Sequence, residues 1–124
     1  MKILIADDSS LLRDRLKGLM RQIDSVSVFM EAENGEEALL LIREINPDVA
    51  ILDIRMPEMN GIEVLKKIRK GGSLLKIIIL TNYPYKQYRE RCLAEGANYF
   101  FDKNQDIAEL TEVITRIANE TKGD

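Results

Sequence analysis

Five residues in this 124-residue sequence are suited to phosphorus and hard-metal chemistry, and each stands at the end of a short apolar run. Asp7 and Asp8 close "KILIADD", Asp53 closes "DVAILD", Thr81 closes "KIIILT" and Lys103 closes "NYFFDK". Taken singly, each has an ordinary explanation. Asp8, Ser9 or Ser10 could cap a helix, Asp53 could form a turn, Thr81 with Asn82 could start a loop, and Lys103 could be a solvated charge. Taken together they make a set. Three carboxylates in one crevice repel and raise each other's pKa. A divalent cation relieves that repulsion. Oxygen donors without His or Cys select a hard ion, and Mg2+ takes one or two carboxylates with waters and a phosphate. A carboxylate is also a nucleophile toward phosphorus, giving an acyl phosphate. Phosphoryl transfer needs mainly positioning and neutralisation of the equatorial oxygens. A metal on one oxygen, Lys103 on a second, and Thr81 with a backbone N–H on a third would suffice for reversible phosphorylation of Asp53. Asp7 and Asp8 would hold the metal.

The composition narrows the field. The sequence has no histidine, so a Ser-His-Asp triad and a His-ligated zinc site are excluded. The lone Cys92 excludes an internal disulfide, fits a reducing cytoplasm, and reads as a small packing residue. Net charge is −3 with the signs interspersed, which leaves no electrostatic footprint for nucleic acid. Runs such as "KIIIL" and "ALLLI" are too short for a membrane span, and "MKILIADD" is too brief for a signal peptide.

The elements that must position the five residues alternate. Strand-type runs cover 2–7, 26–32, 48–53, 76–81 and 98–103, several nearly continuous in Ile, Leu, Val or Phe, as parallel strands covered on both faces require. Between them, apolar residues recur at helical spacing: Leu12, Leu16, Leu19 and Ile23; Ala38, Leu39, Ile42 and Ile45; Ile62, Leu65 and Ile68; Ile107, Leu110, Val113, Ile114 and Ile117. The fourth helix, 85–95, is the most polar and is expected to be the least buried. Gly35, Pro47, "PEMNG", "KGGS" and Gly96 punctuate the elements. This alternation predicts one α/β domain over 1–124, doubly wound, with five parallel strands and five helices on two faces. The commonest order for five such strands is 2-1-3-4-5, with ligands beyond their carboxyl ends. That rule sends Asp7, Asp8, Asp53, Thr81 and Lys103 to one crevice and leaves Glu33 and Asn34 outside it.

The motifs "ADD", "DIRMPEMNG", "LTN" and "FFDK" at these spacings resemble the receiver domain of a two-component response regulator, over essentially the whole chain. The resemblance implies the flavodoxin-like, CheY-like fold and a phosphorylation switch rather than a dedicated enzyme. It implies Asp53 as the acceptor of a phosphoryl group from a histidine kinase or phosphotransfer protein. It implies Asp8 as a direct Mg2+ ligand, Asp7 acting largely through water, and the backbone carbonyl of Arg55 as a third protein ligand. Thr81 matches the switch hydroxyl, Lys103 the phosphate-binding lysine and Phe100 the switch aromatic. Four departures stand out. Phe100 lacks the hydroxyl of the commoner Tyr, Asn82 is larger than usual, Arg55 is a large cation beside the site, and Asn104 replaces a frequent proline. A cis Lys103–Asn104 bond is therefore not expected.

"TNYPY" and "FFDK" are closest in flavour to receivers that precede a helix-turn-helix output domain, although no such domain is expected within 1–124. Tyr83, Tyr85, Tyr88 and Tyr99 gather around the fourth helix and fifth strand, and aromatics are enriched at interfaces. The resemblance implies that the face of fourth helix, fifth strand and fifth helix, with Tyr88 and Tyr99, serves output or homodimer contacts. Three rivals remain at this point: a receiver-like platform that binds without phosphorylation, an aspartate-nucleophile phosphatase, and a flavodoxin. The phosphatase would need an Asp two residues after Asp53, where Arg55 stands. The flavodoxin would need a Ser/Thr/Gly-rich phosphate loop where "DDSSLLRD" is acidic.

Overall fold

The computed structural model describes residues 1–26 and 28–122. Its elements are β1 (Lys2–Ala6), α1 (Ser10–Met20), β2 (Val28–Ala32), α2 (Gly35–Ile45), β3 (Val49–Leu52), α3 (Gly61–Lys70), β4 (Lys76–Thr81), α4 (Lys86–Ala94), β5 (Tyr99–Asp102) and α5 (Ile107–Lys122). The five strands form one parallel sheet in the order 2-1-3-4-5, as expected. Ser27, inside the expected second strand, lies outside the described residues, as do 123–124 of the expected domain. Among the described residues no helix is long and apolar enough to cross a membrane.

Alternation along the strands divides the core in two, because successive side chains point to opposite faces. Leu4, Ala6, Ala50, Leu52, Ile77, Ile79 and Phe100 pack with Leu39 and Ile42 of α2, Val64, Leu65 and Ile68 of α3, and Cys92 of α4. Ile3, Ile5, Val49, Ile51, Ile78, Leu80 and Phe101 pack with Leu16 and Met20 of α1 and with Leu110, Val113, Ile114 and Ile117 of α5. Both faces of β3 and β4 are covered, hence their unbroken apolar sequences.

The helix ends refine the expected periodicities. Ser9 caps α1 by accepting the Leu12 N–H, so Asp8 is not the cap. The helix stops at Met20, which is buried, and Ile23 falls beyond it. Ile45, at the last turn of α2, is exposed. Asn34 and Asn60 cap α2 and α3. Gly35 is the first residue of α2 rather than part of a turn. A Cβ there would overlap the Met59 carbonyl, so glycine lets the loop before α3 lie against α2. Cys92 is the one buried residue of α4, which is the sparsely buried helix the sequence implied.

Candidate phosphoryl and metal site at the carboxyl ends of β1, β3 and β5

The strand order puts β1 and β3 side by side, so Asp7 and Asp53 emerge next to each other. The Asp7 N–H donates to Ala32 O at 3.0 Å, and the Asp53 N–H to Ala6 O at 3.1 Å. Both acids are nearly fully buried, whereas Asp8 is exposed. Carboxylate oxygens of Asp7, Asp8 and Asp53 all lie within 4.8 Å of one another. Lys103, just past β5, reaches across to them. Its Nζ is 2.5 Å from Asp7 Oδ2 and 2.8 Å from Asp53 Oδ2. Asp7 Oδ1 accepts the Ser9 N–H at 2.9 Å, and Asp53 Oδ1 accepts the Ile54 N–H at 2.7 Å.

One cation shared by two buried carboxylates explains the electrostatics. Burial pushes the Asp53 carboxyl above its usual range, and the charge of Asp7 adds to this, against the pull of Lys103. Lys103 loses solvation by burial, yet its hydrogen bonds to Asp53 and Asp7 outweigh that loss and raise its pKa, so it stays charged. The cluster is therefore short of positive charge. Its all-oxygen donor set fits a hard divalent cation.

Thr81 ends β4 fully buried, opposite Asp102 in register, and its carbonyl accepts the Lys103 N–H at 3.0 Å. Its Oγ1 accepts the Tyr83 N–H at 3.0 Å, which leaves the hydroxyl proton free to donate elsewhere. Phe100 is buried among Cys92, Ala97 and the α3 residues, with the Arg89 guanidinium 5.8 Å from its ring centroid. Among the described residues no peptide bond is cis, Lys103–Asn104 included.

Arg55 is exposed in the loop after β3. Its guanidinium lies 3.8 Å from the centroid of the Tyr83 ring. A hydrogen bond with Tyr88, with the nearby Tyr83 contributing, raises its pKa. Tyr83, Tyr85 and Tyr88 form a run of tilted ring contacts at 6.3 and 5.8 Å. Tyr99 stacks instead on Phe101 at 5.8 Å, on the α1/α5 side of the sheet. The four tyrosines thus split into two groups.

Sequence reasoning passed over two supports of the site. Gly61 is the last residue of the "DIRMPEMNG" motif. A Cβ there would overlap the Asp53 carbonyl oxygen and approach its carbon to 2.9 Å, while the Gly61 N–H donates to Ile54 O at 2.8 Å. Glycine at 61 is what allows α3 to begin against the residue that bears the carboxylate. Arg13 lies off the Leu12, Leu16, Leu19 and Ile23 spacing expected of the first helix, yet it is buried. Its Nη1 donates to the Asp7 carbonyl and its Nε to Glu31 Oε1 at 3.0 Å. The signal was present: residues 13, 16 and 20 form the buried stripe of α1, so a charge at 13 demanded buried partners.

Comparison with known proteins matches this architecture. Residues 3–115 fit the family model of the response regulator receiver domain. A transcriptional regulatory protein of Bacillus subtilis, YvfU, is 35% identical over 116 residues, covering 94% of this chain and 58% of the relative. A LuxR-family DNA-binding response regulator from Staphylococcus aureus superposes with a TM-score of 0.86 at 36% identity, covering 95% of this chain and 98% of that one. A CheX–CheY–BeF3–Mg complex from Borrelia burgdorferi gives 0.85 at 28% identity, covering 94% and 88%. The chain spans about half the length of the curated relatives it matches. Parallel order 2-1-3-4-5, acids at the ends of β1 and β3, a lysine after β5 and a family match over residues 3–115 agree: this chain belongs to the response regulator receiver domain family of two-component signalling.

Proposed function

We propose that Asp53 accepts a phosphoryl group from a phosphohistidine donor and that the resulting charge re-weights two conformations of the domain. The observation that carries this reading is the shared lysine. Lys103 spans the buried carboxylates of Asp7 and Asp53 at 2.5 and 2.8 Å, with Asp8 beside them at the rim. An Asp53 oxygen attacks phosphorus, the new P–O bond forms as the P–N bond of the donor breaks, and the imidazole leaves with the electron pair. Mg2+, held by Asp7, Asp8, Asp53 and the Arg55 carbonyl, would neutralise charge on the transferred group. Lys103 exchanges its bond to Asp53 for one to a phosphoryl oxygen. Thr81, whose proton is free, donates to another. Phosphorylation brings about two negative charges and new acceptor oxygens into a site that already pulls on these donors. Thr81 and Phe100 then act as the switch.

The donor is a histidine kinase or phosphotransfer protein, a role this histidine-free chain cannot fill. The face of α4, β5 and α5 meets the output partner or a second copy of the chain, through Tyr88 and Tyr99. In its support, Cys92 is the one buried residue of α4, and Tyr85 beside Tyr88 is half exposed. The reading places the protein in the cytoplasm, with no direct nucleic-acid contact by this chain. Intact-mass spectrometry after incubation with Mg2+ and acetyl phosphate tests the chemistry. One phosphate should be added, only with Mg2+ and not in Asp53→Asn. An adduct retained in the variant refutes the assignment of Asp53, and no adduct on the parent chain refutes the reading.

A further inference from the structure

We propose that Arg13 is a positioning residue of the metal site: its guanidinium fixes the turn after β1 and thereby sets the affinity of the Asp7–Asp8–Asp53 cluster for a divalent cation. This rests on the reading above. A buried arginine is costly unless its donors are used. Here they are used at the point where the acid pair leaves the sheet. Nη1 donates to the Asp7 carbonyl at 2.5 Å, Nε to Glu31 Oε1 at 3.0 Å, and Nη2 lies 3.8 Å from Glu33 Oε1. Glu31 is held in turn by Lys17 at 2.9 Å.

The effect falls on Asp7 and Asp8. Every polar group of Asp7 is then committed: its N–H to Ala32 O, its carbonyl to Arg13, one carboxylate oxygen to the Ser9 N–H and the other to Lys103. Asp8 sits between this fixed residue and the helix cap Ser9. Its exposed carboxylate has an oxygen within 4.8 Å of those of Asp7 and Asp53, on a backbone held by hydrogen bonds at the residues on both sides. Without Arg13 the Asp7 carbonyl loses its anchor and the peptide plane before Asp8 can rotate.

Charge alone predicts the opposite sign. Removing a cation near three acids would strengthen their pull on Mg2+. Arg13, however, faces Glu31 and Glu33, so its charge is largely balanced there and the geometric effect dominates. Loss of a hydrogen-bond partner behind a metal ligand typically weakens binding by about 10–100-fold.

The test is Mg2+ titration of the unphosphorylated protein, followed by NMR, on the parent chain, Arg13→Met, Arg13→Lys and Arg69→Met. Arg69 is the control. It also bonds backbone carbonyls, those of Gly96 and Ser73, but at the opposite end of the sheet. The expected result is at least about tenfold weaker Mg2+ binding in Arg13→Met and parent affinity in Arg69→Met. Arg13→Lys keeps the charge but offers one nitrogen where the guanidinium offers three, so it should fall between, and it carries the test if Arg13→Met does not fold. In both Arg13 variants, labelling by acetyl phosphate should need correspondingly more Mg2+ yet reach the parent plateau. Parent-like or tighter Mg2+ binding in both Arg13 variants overturns the proposal, as does equal weakening in Arg69→Met. A parent chain that binds no Mg2+ overturns the reading of the site itself.

Discussion

Replacing Lys103 by methionine removes the cation that two buried carboxylates share, with little change in side-chain length. At an effective dielectric of about 20, unit charges at the observed 2.5 and 2.8 Å attract by about 6 kcal/mol each. Returning the lysine to water recovers several kcal/mol, and the two acids left behind repel. Removing one partner of such a buried arrangement typically costs about 3–5 kcal/mol, a large part of a small domain's stability. The loss should depend on pH in a definite sense. Asp53 already has its pKa raised by burial and by Asp7; without Lys103 it rises further. A carboxyl whose folded pKa lies above its unfolded value stabilises the fold below the unfolded pKa, and that contribution disappears as pH rises through the folded value. The variant should therefore be closest to the parent in mild acid and fall furthest behind it above neutrality. Urea unfolding followed by circular dichroism, with chelator, at pH 5 and pH 7.5 measures both quantities. Added Mg2+ should restore part of the deficit at pH 7.5, because a ligand that binds only the folded state stabilises it. A variant within about 1 kcal/mol of the parent at pH 7.5 with chelator, or one that gains on the parent as pH rises, would refute the shared-lysine account.

Two other substitutions or probes address the supports of the site. Gly61→Ala puts a methyl group against the Asp53 carbonyl, which must move; acetyl phosphate labelling should fall at least about tenfold, since displacements near 1 Å cost reacting groups about that much or more. Parent-rate labelling in Gly61→Ala would show that α3 can retreat without disturbing the acceptor. Burial pushes the Cys92 thiol up to about 11, so a thiol reagent at pH 8 should react only as the protein unfolds in urea. Stoichiometric modification of the native protein within minutes would contradict the packing of α4.

The sequence alone determined the fold class and the element order, and its strand ends named Asp7, Asp8, Asp53, Thr81 and Lys103 as candidates for one crevice, of which Asp7, Asp8, Asp53 and Lys103 form the observed cluster. Period-two and period-3.6 apolar patterns are local, and five strand–helix alternations leave few topologies. Strand-end position then ties Asp7, Asp53, Thr81 and Lys103 to one rim. It also marked α4 as sparsely buried, since few of its residues are apolar. Tertiary structure decided what depends on neighbours far apart in sequence. The choice of Ser9 over Asp8 as cap, the sharing of Lys103 between Asp7 and Asp53, and the separation of Tyr99 from the other tyrosines follow from register and sheet face. Arg13 is the sharpest case. Its position on the α1 stripe required a buried charge, but only the packing of α1 against the ends of β1 and β2 supplies the Asp7 carbonyl and Glu31 that make burial tolerable. Gly61 is similar: a motif names the glycine, whereas the approach of α3 to the Asp53 backbone gives the steric reason for it. Pattern fixes which groups reach the site; close packing fixes the distances, and with them the charges the site can hold.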